Sequence, residues 1–186
     1  MNPLTSYIIH LADNSLILGH RNSEWTGHGP ILEQDIALSN IALDLIGQSR
    51  NLYQLAAARL NDSKGRNETG LLFPGMAQFH SSRDQKLFRE DDLAYLRDEP
   101  EFKNIVLVEQ ANGDWAKTIL RQFYFSHFQL LQYGALLNSK DPSLAAISEK
   151  SIKETRYHVK WSSEWVCRLG DGTTESHKRM LKAIEA

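Results

Sequence analysis

Residues 31–60 read ILEQDIALSNIALDLIGQSRNLYQLAAARL, and the periodicity of this stretch decides the fold. Leu38, Ile41, Ala42, Leu45, Ser49, Leu52 and Ala56 recur in steps of three and four, which winds them onto one stripe of an α-helix. Ile36, Leu43, Ile46 and Tyr53 mark a second apolar face. A helix apolar on two sides is packed on two sides, so the pattern predicts a bundle helix with a surface left for a partner. Asn40, Asp44 and Gln48 form a polar line on the same helix.

Upstream, Leu4, Ile8, Leu11, Leu16 and Leu18 predict a helix from Leu4 to His20. It is broken by NSEWTGHGP (22–30), where Gly27, Gly29 and Pro30 end one helix and allow the next. Downstream, residues 61–90 form one long irregular segment. A loop of that length in a compact domain is a functional element or a disordered one. A short acidic helix, EDDLAYLRDE, closes it. A third long helix is expected from Phe102 to Leu137, with Gly113 inside it at a cost of about 1 kcal/mol relative to alanine. A fourth runs from Leu144 to Arg168, with Asp141 or Ser143 as its cap, Pro142 near its first turn and Gly170 suited to its C-terminal cap. DGTTESHKRMLKAIEA (171–186) starts a fifth. The order predicts an all-α chain: one ferritin-like antiparallel four-helix bundle over residues 1–186, with its long loop between helices two and three.

Bulk properties narrow the function classes. The chain has 186 residues, 41% hydrophobic and 24% charged, with a net charge of −2 and both signs interspersed. That gives no electrostatic footprint for nucleic acid or for an anionic membrane surface. No apolar run reaches the roughly 18 residues of a membrane span. Cys167 is the only cysteine, so no intrachain disulfide can form, and with no signal-peptide pattern at the N-terminus the expected location is the cytoplasm. No phosphate-binding glycine loop, nucleophile elbow or cysteine pair is present.

Two constellations invite a functional reading. His20, Glu24 and His28 stand four apart, but the break at residues 26–30 takes His28 off their face. Helix-end capping or partner contact is the better reading, with Trp25 as an apolar anchor. Glu154 and His158, in KETRYHVKW (153–161), lie four apart on the fourth helix and share a face. With Asp44 and Glu109 they are the metal candidates. A di-metal centre needs carboxylates from several helices, typically with paired Glu-x-x-His motifs, and the second helix offers none. For Asp44, Gln48, Glu109, Asn112 and Asp114 the plainer reading is a hydrogen-bonded network, with Arg121 or Arg156 joining it.

Three long strings resemble one family. LADNSLILGHRNSEWTGHGPILEQDIALSNIALDLIGQSRNLY (11–53), DDLAYLRDEPEFKNIVLVEQANGDWAKTILRQF (91–123) and KSIKETRYHVKWSSEWVCRLGDGTTESHKRM (150–180) are similar to the PaaC family, the structural subunits of bacterial 1,2-phenylacetyl-CoA epoxidases. The resemblance implies a ferritin-like fold without a catalytic residue or a metal of its own. It implies hetero-oligomeric assembly with a PaaA-like catalytic subunit that holds a di-iron centre. Electrons would come from NADPH through a flavin and iron–sulfur reductase, for the ring epoxidation of phenylacetyl-CoA. Set against the catalytic type, LILG puts Leu16 at a ligand glutamate. LIGQ gives Leu45 and Gln48, and TRYH gives Thr155 and His158, so Glu154 is one residue off register, about 100° around the helix. His158, Glu154, Asp44 and Glu109 then read as remnants, and His20, Glu24, Trp25 and His28 as interface candidates. A metal-binding ferritin-like oxidase in its own right is the alternative. His80, Arg83 and Lys86, in the long loop, are candidates for CoA phosphates against the plainer reading of a solvated loop. The chain stops inside its fifth helix, where family members continue, so a shortened chain or fragment is expected.

Overall fold

The computed structural model describes residues 1–62, 73–76 and 87–185. His80, Arg83 and Lys86, with most of the long loop, lie outside that set. The described residues are all-α: α1 (Pro3–Ser23), α2 (Leu32–Asp62), α3 (Glu90–Tyr95), α4 (Val106–Glu109), α5 (Trp115–Leu136), α6 (Pro142–Gly170) and α7 (Thr174–Ile184). The four long helices make a ferritin-like antiparallel bundle. α1 packs along α2, α5 along α6, and α2 touches α6. Side chains of α1 reach α5 through Asn22 and Gln122, which leaves α2 and α5 diagonally opposed.

Local chemistry sets the helix ends. Asn2 accepts from the Leu4 N–H at 2.9 Å and Pro3 opens α1. Asp141 does the same for Leu144 at 2.9 Å, with Pro142 opening α6. Gly170 is the last residue of α6 and keeps a negative φ, so it is not the left-handed cap that its identity suggested. Between α1 and α2, Gly27 has φ 86°. The Asp35 carboxylate accepts from the backbone N–H of Gly27 and Gly29 at 3.0–3.1 Å, which holds its carboxyl below the usual range. Gly19 lets α1 and α2 approach closely, because a Cβ there would stand 3.0 Å from Ile46 Cγ1.

The third helix differs from expectation. It begins at Trp115, not Phe102, and residues 99–114 are a 3-10 turn, the short α4 and an irregular corner. Gly113 takes φ +60° and Asp114 caps α5, accepting from the Lys117 N–H at 3.0 Å. Gly113 is therefore a corner residue, and Glu109, Asn112 and Asp114 do not share a helical face. The segment before the corner is stitched to α1 by side chains: Asp13 accepts from the Lys103 N–H at 2.7 Å and Asn14 from the Ile105 N–H at 2.8 Å.

Two large apolar clusters fill the bundle, and a small third one, of Ala116, Leu120 and Met180, seats α7 against α5. Of the large pair, one gathers Ile8, Leu52, Ala56, Phe73, Leu93 and Leu144 at the end where α1 begins. The other gathers Leu18, Ile41, Leu45, Ile119, Phe125 and Trp161 at the opposite end. All four tryptophans meet there: Trp115 is T-shaped to Trp25, Trp161 and Trp165 at 5.3–6.1 Å. On the second face expected of α2, Ile36 and Leu43 are exposed but Tyr53 is buried in the core.

Candidate functional site

Between the two large apolar clusters lies a polar waist to which all four long helices contribute. Gln48 of α2 is its bridge. Its amide N–H donates to Glu154 Oε2 at 2.9 Å, and its carbonyl accepts from Gln129 Nε2 at 3.0 Å and from the Tyr133 hydroxyl at 3.2 Å. Gln129 also reaches Ser15 of α1 at 3.3 Å, and the Thr155 hydroxyl lies 3.4 Å from its carbonyl oxygen. Gln48, Gln129, Tyr133 and Thr155 are buried. Burial pushes the Tyr133 phenol up to about 12.

At one edge of the waist His158, fully buried, places Nε2 3.0 Å from Asp44 Oδ2. The Asp44 side chain is 36% exposed, so this pair joins the interior to solvent between α2 and α6. An Nε2–H donated to the carboxylate leaves Nδ1 as the bare nitrogen, and Nδ1 is buried with no hydrogen-bond partner among the described residues.

The other sequence candidates are dispersed. Glu109 sits on α4, exposed, and its carbonyl accepts from Arg21 at 3.1 Å. It shares an open cavity of about 670 Å³ with His20, Arg21, Glu24, Phe102 and Asn104. Glu24 accepts there from Arg21 at 3.1 Å and from Asn112 at 2.8 Å. His20 stacks on Tyr95 at 6.3 Å, and its partial burial lowers its pKa. Trp25 is an intrachain anchor, its indole N–H donating to Thr118 at 2.8 Å. His28 is exposed in the turn. Arg121 is buried but meets amide and carbonyl oxygens, those of Asn112 and Gln110, both at 2.6 Å, rather than a carboxylate. Desolvation pushes its guanidinium down to about 10. Arg156 is exposed.

Sequence reasoning missed a second buried cluster. Arg97 and Asp13, with side chains 0% exposed, form a bidentate pair at 2.5 and 3.1 Å, and Tyr53 donates to Asp13 at 2.5 Å. The signal that could have found it was the polar trio Asp13, Asn14 and Ser15 inside an otherwise apolar helix. Ser15, not Leu16, is the residue of α1 that reaches the waist; Leu16 packs in the first apolar cluster.

A family model described as phenylacetic acid catabolic protein matches residues 1–186. The chain belongs to that family. It is also similar to a protein of Escherichia coli (strain K12) named as one of the subunits of 1,2-phenylacetyl-CoA epoxidase, at 43% identity over 184 residues. The match covers 99% of this chain and 64% of that relative, so the chain spans less than two thirds of the curated relative's length. Ferritin-like relatives of the catalytic type imply a di-iron centre at mid-bundle. The waist does not fit one. Among the described residues no three His, Cys, Asp or Glu side chains come together as metal ligands. The polar groups buried at mid-bundle are mostly amides and hydroxyls, which bind each other and supply little negative charge to balance two irons. No helix among the described residues is long and apolar enough to cross a membrane.

Proposed function

We propose that this chain is a non-catalytic scaffold subunit of a phenylacetyl-CoA 1,2-epoxidase complex in aerobic phenylacetate degradation in the cytoplasm. Residues 1–186 act as one helical unit beside a PaaA-like subunit that carries the di-iron centre. A reductase with flavin and iron–sulfur groups, fed by NADPH, belongs to the same complex. The observation that carries this reading is the waist, where the buried amides and hydroxyls of Gln48, Gln129, Tyr133 and Thr155 bind one another; the family resemblance sets Gln48 and Thr155 at ligand positions of the catalytic type. Gln48 binds Gln129, Tyr133 and the Glu154 carboxylate there, Thr155 binds Gln129, and His158 is held by Asp44.

The scaffold's contribution is positional. Leu32, Ile36 and Leu43 of α2 are 70%, 51% and 66% exposed, an apolar line that a neighbouring bundle can cover. Holding catalytic helices in register matters because a misplacement of about 1 Å can cost on the order of 100-fold in rate.

The test is iron analysis and phenylacetyl-CoA turnover with this chain alone, a PaaA-like subunit alone, and the two co-purified with the reductase. Iron and turnover are expected to need the PaaA-like subunit, with turnover rising when this chain joins it. Stoichiometric iron in the isolated chain, or full turnover without it, overturns the reading.

A further inference from the structure

α5 carries a second apolar line that no described residue covers. Tyr124, Phe128 and Leu131 are 46%, 42% and 76% exposed, and the exposed Ala135 continues the stripe. Their steps of four, three and four keep them on one side of the helix. From Gln122 to Leu136 the sequence has no Asp, Glu, Lys or Arg, a neutral length of about 22 Å at 1.5 Å per residue. A charged partner would find no counter-charge along it.

The stripe is graded in size, and the grading selects its occupant. Its N-terminal half carries the rings of Tyr124 and Phe128. Its C-terminal half carries Ala135 beside Gly134, where an added Cβ would meet no atom within 4 Å. A second α5 laid antiparallel, about a two-fold axis between positions 129 and 130, sets Tyr124 of each copy over Ala135 of the other. It sets Phe128 beside Leu131. Large residues then meet small ones at both ends, whereas a parallel pairing stacks ring on ring and leaves the small end hollow.

We propose that this stripe joins two copies of the chain in an antiparallel, isologous α5–α5 contact. Fully covered aromatic side chains bury about 150–250 Å² each, so the exposures of Tyr124 and Phe128 leave roughly 100 Å² apiece. With Leu131 and its flanks the pair would bury on the order of 1,000 Å², the lower bound of specific interfaces and fitting for a weak dimer. Because α2 and α5 are diagonal, the contact leaves the α2 line free, and the inference stands or falls independently of the scaffold reading.

Sedimentation equilibrium of the isolated chain, from about 1 µM to about 100 µM, tests it. The expected result is a monomer–dimer equilibrium that Leu131→Asp weakens by about tenfold or more. Far-UV circular dichroism should be unchanged, since Leu131 is mostly exposed. Phe128→Lys should weaken pairing as well. Mixing it with Leu131→Asp should restore a heteropair, because antiparallel packing sets position 128 against 131. A monomer at every concentration, a dimer indifferent to Leu131→Asp, or a mixture no tighter than its components overturns the proposal. So does association that appears only when a catalytic subunit is added.

Discussion

Two buried polar clusters sit within two turns of each other along α1 and α2, and they satisfy burial in opposite ways. In the Asp13–Arg97–Tyr53 cluster every guanidinium N–H has an acceptor: Arg97 donates to Leu93 O, Glu101 O, the Tyr53 hydroxyl and both oxygens of Asp13. Asp13 in turn accepts from Arg97, Tyr53 and the Lys103 N–H. Phe102 lies under the guanidinium at 4.2 Å. In the waist, by contrast, the buried bridges are amide to amide, hydroxyl to amide and amide to carboxylate, and His158 Nδ1 has no partner among the described residues. The first cluster is charge-complete and ties the segment before α5 onto α1. The second is where a bundle of this kind can hold metal, filled instead with mostly neutral groups. The difference separates a charge-complete lock from a mostly neutral network.

The largest effect should come from unbalancing the lock. Arg97→Ala leaves a carboxylate buried without its counter-charge, and its expected cost is about 3–5 kcal/mol in urea unfolding. Replacing Asp13 by Leu and Arg97 by Met together should cost less than Arg97→Met alone, because no orphaned charge then remains. A double variant as unstable as the single one would show that packing, not charge balance, holds the segment.

Much of this contrast was visible in sequence, though unevenly. The stripe on α2 and the Asp141–Pro142 start of α6 were legible because periodicity and capping act within a turn or two. The start of α5 was not read, although Gly113 followed by Asp114 carries a corner-and-cap signature, because the apolar residues 105–108 continue a helical pattern up to it. Tyr53 was placed on an outer face because its period fits both sides of α2; its partner, Arg97, is 44 residues away. The pairing of Gln48 with Glu154 and of Asp44 with His158 was likewise hidden. Which of several equally spaced polar residues meet depends on how two helices are rotated against each other, and a one-residue step turns a side chain by about 100°. The absence of paired ligand motifs was readable, but the amide network occupying that space was not.

Gln129→Ala should have an intermediate effect and probes the waist alone. It removes the group that joins Ser15, Gln48, Tyr133 and Thr155, and leaves several buried hydroxyl and amide groups short of a partner. The expected loss is about 1–3 kcal/mol, below that of Arg97→Ala because the groups stranded are neutral. A loss equal to that of Arg97→Ala would mean that the waist bears load as the lock does, and the distinction between them would fail.

The smallest effect is a pH slope that compares the two clusters through their tyrosines. Burial raises Tyr133 to about 12, and raises Tyr53 still further because the Asp13 carboxylate also resists a phenolate. An unfolded tyrosine ionises near 10, so between about pH 10 and 12 the native chain binds a proton that the unfolded chain has lost. The stabilisation is therefore complete below about pH 10 and is lost as pH rises toward and through the folded value, at up to about 1.4 kcal/mol per pH unit for each tyrosine. Tyr133→Phe and Tyr53→Phe should each remove one proton's worth of that alkaline slope in unfolding measured from pH 9 to pH 11.5. At neutral pH they should part company, because Tyr53→Phe also deprives Asp13 of a donor while Tyr133→Phe costs a neutral hydrogen bond of about 1 kcal/mol. An alkaline slope unchanged in Tyr133→Phe would mean that water reaches the waist and ionises Tyr133 as in the unfolded chain, which a closed network of amides and hydroxyls does not allow.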